Sequence, residues 1–199
     1  MSNSGRYGRR RNRRKQKKKR IVLSLILGLI FLIAVGTAVF YFMGGFSNPV
    51  EEGTTLLEQG SYEKSITAFE LAIKKDKNIG EAYRGMGIAY WELEKYEQSR
   101  DAFLKAIKTG AEKTGTMYNF LAMNEMKLGN FESALTYITQ GLTYKENSKA
   151  LTQEMEFNEI SIYESMLDWE NAKIKAVAYV EKYPDDINAA KEAEFLQTR

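Results

Sequence analysis

The sequence predicts an all-α chain: one membrane-spanning helix, then an α-solenoid of about four helix-turn-helix repeats with a C-terminal capping helix. Three observations predict it. Ile21–Met43 is an apolar run that holds no charged residue. The chain beyond residue 46 repeats a helical pattern led in turn by Tyr62, Tyr96, Phe131 and Trp169 at near-regular intervals. Charge is split between the two parts. Residues 1–45 hold eleven of the 29 Lys and Arg and no acid, which leaves 18 bases against 26 acids beyond them, a net of −8. The whole-chain balance of +3 therefore describes neither part.

Residues 1–20 read as a basic, disordered cytoplasmic tail. Gly8–Arg20, "GRRRNRRKQKKKR", packs ten cations into thirteen residues directly before the apolar run. Cations beside a span stay on the cytoplasmic side, so the order gives the N-terminus inside and the acidic part outside. Lys15, Lys17, Lys18, Lys19 and Arg20 are placed to meet anionic lipid headgroups, at about 1 kcal/mol per cation. A nucleic-acid arm is the competing reading. It is disfavoured because the run abuts a span and has no interleaved aromatic beyond Tyr7, and no nucleic-acid partner is expected.

Residues 21–43 read as a transmembrane signal-anchor. As a helix the run rises roughly 34 Å, enough to cross a bilayer core. Phe40, Tyr41, Phe42 and Phe46 cluster where an aromatic interface belt would sit. Gly36-Thr37-Ala38 offers a small-x-small triplet for signal cleavage, but apolar residues continue through Met43, so a retained anchor is expected. Ser24/Gly28 and Ala34/Ala38 are small pairs four apart, read as ordinary residues of a membrane helix or as a close-packing face. Gly44-Gly45 ends the helix, and residues 44–48 form a linker.

Residues 49–199 hold the repeats, at about 47–79, 80–114, 115–152 and 153–186, closed by a helix over 187–199. The second helices align on Tyr62, Tyr96, Phe131 and Trp169. Three residues on stand Ser65, Ser99, Ala134 and Ala172, and four beyond those Phe69, Phe103, Ile138 and Ala176. Ala72, Ala106, Gly141 and Tyr179 follow, so each set lies on one helical face. Leading helices are clearest in "EAYRGMGIAYWELEKY" and "TMYNFLAMNEMKLGNF". Gly60 and Gly129 fall where the leading helix must end in left-handed geometry. Ser61, Asn130 and Asp168 take the following N-cap positions. The first leading helix is short. The fourth carries Glu156 and Glu159 where apolar residues are expected. Such units cannot bury their apolar faces singly but do so when stacked, so Tyr62, Phe69, Tyr83, Tyr90, Tyr96, Phe103 and Phe131 are expected in the core.

This pattern resembles the tetratricopeptide repeat (TPR) family, carried best by Tyr83, Met86, Gly87, Tyr90, Tyr96, Ser99, Phe103 and Ala106, with Pro184 of "YPDD" as the terminal proline. The resemblance implies a superhelix whose inner surface binds a protein or peptide. It places Arg84, Ile88 and Trp91, then Asn119, Met123 and Met126, then Phe157, Ser161 and Glu164 on that surface. It also implies that the Lys/Asn carboxylate clamp of some members is missing, since Asn119 lacks flanking lysines.

Cys and His are absent from the chain, which excludes disulfides, thiol or Ser-His-Asp catalysis and Cys- or His-ligated metals. No cofactor is expected. Asp185-Asp186, Glu51-Glu52 and Asp168 are the visible carboxylate features, and each reads more simply as a turn, helix start or cap. The function expected is a membrane-anchored scaffold or adaptor, in bacterial envelope assembly or secretion, at the plasma membrane with the repeats outside. A cytosol-facing receptor on a membrane is the alternative, and a carboxylate enzyme the third. The sequence does not set the oligomeric state.

Overall fold

Nine helices run through residues 48–199: α1 (Pro49–Glu58), α2 (Tyr62–Lys74), α3 (Ile79–Glu92), α4 (Tyr96–Lys108), α5 (Gly115–Lys127), α6 (Phe131–Leu142), α7 (Lys149–Ser165), α8 (Trp169–Lys182) and α9 (Ile187–Gln197). The structure, a computed structural model, describes these residues and, apart from them, Val35. The expected span over 21–43, Val35 aside, and the basic tail with Lys15, Lys17, Lys18, Lys19 and Arg20 lie outside the described residues. Among the described residues no helix is long and apolar enough to cross a membrane.

The helices pair in order as antiparallel hairpins: α1 with α2, α3 with α4, α5 with α6, α7 with α8, while α9 packs on α8. Leading helices also touch one another, α1 on α3 and α5 on α7, so they form one wall of the stack. The four hairpin turns are built alike. Each places one residue in left-handed backbone, with φ of 72° at Gly60, 56° at Glu94, 77° at Gly129 and 58° at Leu167. The next amide then reaches back five residues, as in Ser61 N to Leu56 O at 2.8 Å and Asp168 N to Tyr163 O at 2.9 Å. That bond closes the orphan carbonyls of the leading helix. The glycines at 60 and 129 mark two turns as expected. The other two hold the same geometry with Glu94 and Leu167.

Ser61, Asn130 and Asp168 occupy N-cap positions, but only the Asp168 carboxylate caps, accepting from Asn171 N at 3.2 Å. The amide of Asn130 instead donates to Glu125 Oε2 at 2.7 Å. The unexpected acids of α7 are explained by the helix behind them. Glu159 accepts from Lys175 Nζ at 2.8 Å and Glu156 from Lys182 Nζ at 2.6 Å. Both lysines lie on α8, so the acids tie leading to trailing helix where apolar pairs do so elsewhere.

The aromatic core falls where the offsets put it. Phe69 and Phe103 are 1% exposed and Ala72 and Ala106 fully buried. Tyr62, Tyr83, Tyr90, Tyr96 and Phe131 are half-buried around them. Phe69 is seated between Gly53 on α1 and Gly85 on α3, its ring so near both that neither position has room for a Cβ. Phe103 sits on Gly87 in the same way and stacks on Phe120 with centroids 5.2 Å apart.

Candidate functional site

The leading helices α3, α5 and α7, with the loops between repeats, surround a cleft of about 760 Å³. Its floor is apolar. Ile88 of α3, Phe103 of α4, Met117 and Phe120 of α5, and Leu151 of α7 supply it. Phe103 and Met117 are fixed core residues at 1% exposure, whereas Ile88, Phe120 and Leu151 are half-buried and present their open sides. Tyr144 adds a wall. Burial, then the neighbouring Tyr118, raise its hydroxyl above the ordinary phenol value, so that wall stays uncharged.

The rim is polar and mixed in charge. Arg84 forms an ion pair with Glu81 one turn away and stays 41% exposed. Lys113 stands between Glu112 and Thr114, and Glu146 rises from the following inter-repeat loop. Both loops are held by caps. Thr114 Oγ1 accepts from Met117 N at 3.3 Å, and Ser148 Oγ accepts from Leu151 N at 3.1 Å. Asn147 donates to Gly141 O at 2.9 Å, and its side chain lies against Gly115, where a Cβ would displace it. The cleft is thus a preformed apolar trough with hydrogen-bonding edges, the usual chemistry of a site that takes an apolar side chain and its flanking backbone.

Of the residues expected on the inner surface, Arg84 and Ile88 line this cleft. The others stand elsewhere on the leading helices. Trp91 packs on Tyr96 and Phe120, at centroid distances of 5.2 and 5.8 Å. Asn119 is 4% exposed, donates to Glu154 Oε1 at 2.8 Å and accepts from Asn158 at 3.3 Å, and so ties α5 to α7. Met123 is half-buried, Met126 packs in the α5–α7 cluster, and Phe157 meets Tyr179 edge-on at 5.7 Å. Ser161 donates to Phe157 O at 3.4 Å. Ile88, Trp91, Met126 and Phe157 therefore also contribute to packing. The expected inner surface omitted the loop and N-terminal residues 112–117 and 144–151. Their signal was the pair of N-caps, Thr114 and Ser148, at matching places in successive repeats.

Of the carboxylates weighed for catalysis, Asp168, Asp186 and Glu51 have structural roles. Asp186 caps α9, accepting from Ala189 N at 3.1 Å, and Glu51 accepts from Asn48 Nδ2 at 3.1 Å. Among the described residues no three His, Cys, Asp or Glu side chains stand together as metal ligands would.

Two family models, each described as tetratricopeptide repeat, match residues 50–113 and 115–148. These are tetratricopeptide repeats. The TPR fold is supported again by solved structures. YrrB, described as "a TPR protein with an unusual peptide-binding site", is 22% identical with a TM-score of 0.66, over 75% of each chain. MamA from Desulfovibrio magneticus RS-1 is 18% identical with a TM-score of 0.64, over 75% of this chain and 81% of that one. Identities this low show the shared fold alone. Compared with curated proteins, the chain matches none. TPR modules are generally non-enzymatic and bind protein or peptide partners. The matched residues end at 148, yet α7 and α8 repeat the same hairpin turn and pairing.

Proposed function

We propose that this protein is a membrane-anchored adaptor whose TPR domain takes a protein segment into the cleft between α3, α5 and α7. The observation that carries the reading is the cleft's composition, an apolar floor of Ile88, Phe120 and Leu151 inside a rim of capped loops and exposed charges. A peptide laid there buries an apolar anchor while its backbone meets Thr114, Thr116 and Asn147. The peptide-binding site named for YrrB, a protein of the same fold, supports the reading.

Thr116 is exposed on the cleft edge, so a photo-crosslinker placed there in the full chain should trap a discrete partner. The double variant Ile88→Ala/Leu151→Ala should lower that yield about tenfold, the effect of losing two apolar anchors. Helicity should be unchanged. Equal trapping from Leu71, on the trailing helix α2, would place the partner elsewhere.

Anchoring rests on the sequence: the uncharged run Ile21–Met43 behind ten cations, and the charge of −8 beyond it. This arrangement supports a single span with the repeats outside the plasma membrane and a role in the bacterial envelope or in secretion. External protease should digest the TPR domain in cells with an opened outer barrier while the basic tail stays protected. Protection of the domain until the membrane is lysed would reverse the topology.

A further inference from the structure

The outer face of α9 is unlike that of any other helix end in the stack. Ala189, Ala193 and Leu196 bury its inner side against α8 and α7. The opposite stripe, spaced 4, 3 and 4, reads Ile187, Lys191, Glu194 and Thr198, all exposed. Ile187 is 69% exposed, and Phe195 beside the stripe 44%. Arg199 lies over Phe195 at 4.8 Å and over Trp169 at 5.5 Å, which leaves the rest of the ring open. The other end of the stack differs. The helix α1 turns Glu51, Glu52, Thr54, Thr55 and Glu58 outward, as a finished end would.

We propose that α9 is a self-association helix whose outer stripe receives α9 of a second copy, antiparallel about a two-fold axis. Charge complementarity selects this occupant. In the register that sets Lys191 opposite Glu194 of the second copy, symmetry sets Glu194 opposite the second Lys191, so both central layers are opposite-charge pairs. The same register puts Ile187 against Thr198 in both outer layers. It brings the two Phe195 rings together on one side of the pair and the two Ala190 residues on the other, where their size lets the helices approach. An isologous contact of this kind closes at two copies and does not propagate. One eleven-residue helix per copy buries less than the roughly 1,200–2,000 Å² of a standing complex. The association is therefore weak and reversible, and its test must trap it.

The chain has no cysteine, so a single introduced thiol reports contact without background. Full-length Ala190→Cys should give a covalent dimer with a short bis-maleimide, while Lys74→Cys, exposed on α2, should not. In the Ala190→Cys background, Lys191→Glu and Glu194→Lys should each cut the dimer about tenfold, because each sets like charges opposite one another. Mixing the two variants should restore it, as a heterodimer. Within one helix, positions 191 and 194 carry like charges in both variants, so recovery on mixing reports only the contact between copies. The proposal fails if Ala190→Cys links no better than Lys74→Cys, if the charge variants link like their parent, or if the mixture stays monomeric.

Discussion

The front and back of the TPR stack are held by different physics. From α1 to α5 the fit is steric. Phe69 is wedged between two glycines and Phe103 against a third, with no space for a Cβ at any of them. A buried polar chain there is internal, Ser99 donating to Gly87 O at 2.8 Å and accepting from Asn124 at 2.9 Å. From α7 to α9 there is no glycine for a ring to sit on: Ala172, Ala176, Ala189 and Ala193 cluster with Ile160, Leu196, Tyr179 and Tyr183. Polar groups add ties there: Glu159 to Lys175, Glu156 to Lys182, and the Tyr179 hydroxyl donating to Asp186 at 2.9 Å. A steric lock is insensitive to solution conditions. A seam of titratable groups is not, so stability at the back can be tuned while the cleft-bearing front keeps its shape.

The largest effect should come from breaking the steric lock. Phe69→Ala removes a ring that is 1% exposed, and the glycines on either side cannot fill the space. The expected loss is about 3–5 kcal/mol, read from chemical denaturation. A loss below about 1 kcal/mol, the range of a surface change, would show that the front is not organised around this ring and would erase the contrast.

The difference also separates what the sequence made legible from what it did not. A steric lock repeats, and repetition is visible: the offsets of Phe69 and Phe103 fixed the helices, faces and pairing before any geometry. The seam does not repeat. Glu156 and Glu159 looked like faults in the fourth leading helix because their partners, Lys182 and Lys175, lie on the next helix and are joined to them only by the hairpin. Glu94 and Leu167 hide two of the four turns, since neither residue type advertises left-handed backbone. Of the expected inner surface, Arg84 and Ile88 reach the cleft, and Asn119 is turned into a buried tie with Glu154. Position on a helix face was readable. The tilt that decides which part of that face opens as a cleft depends on loops 109–114 and 143–148, and no periodicity encodes it.

A smaller and more selective effect should come from the seam. Burial first, and then the facing carboxyl of Glu192, push Glu164 up to about 7 from its ordinary 4.5. Glu164 ends α7 and Glu192 lies on α9, so the pair links the last leading helix to the closing helix. The folded protein keeps this proton between about pH 4.5 and 7, where the unfolded chain has released it. Stability from the pair is therefore complete below the lower value and is lost as pH rises through the upper one. Asp186 works in the opposite sense and in a lower window. The Ala189 amide, then the Tyr179 hydroxyl, hold its carboxyl below the ordinary 3.8. The stability from Asp186 is lost only in stronger acid. Glu164→Gln replaces the shared proton with a fixed neutral amide. Thermal unfolding followed from pH 5 to 8 should fall with pH in the parent, fall less in Glu164→Gln, and show the variant's largest gain at the alkaline end. Phe69→Ala should lower the whole curve and keep its slope. If Glu164→Gln retained the parent's slope, the pH sensitivity would lie outside the α7–α9 seam, and front and back would no longer differ in the way argued from their contacts.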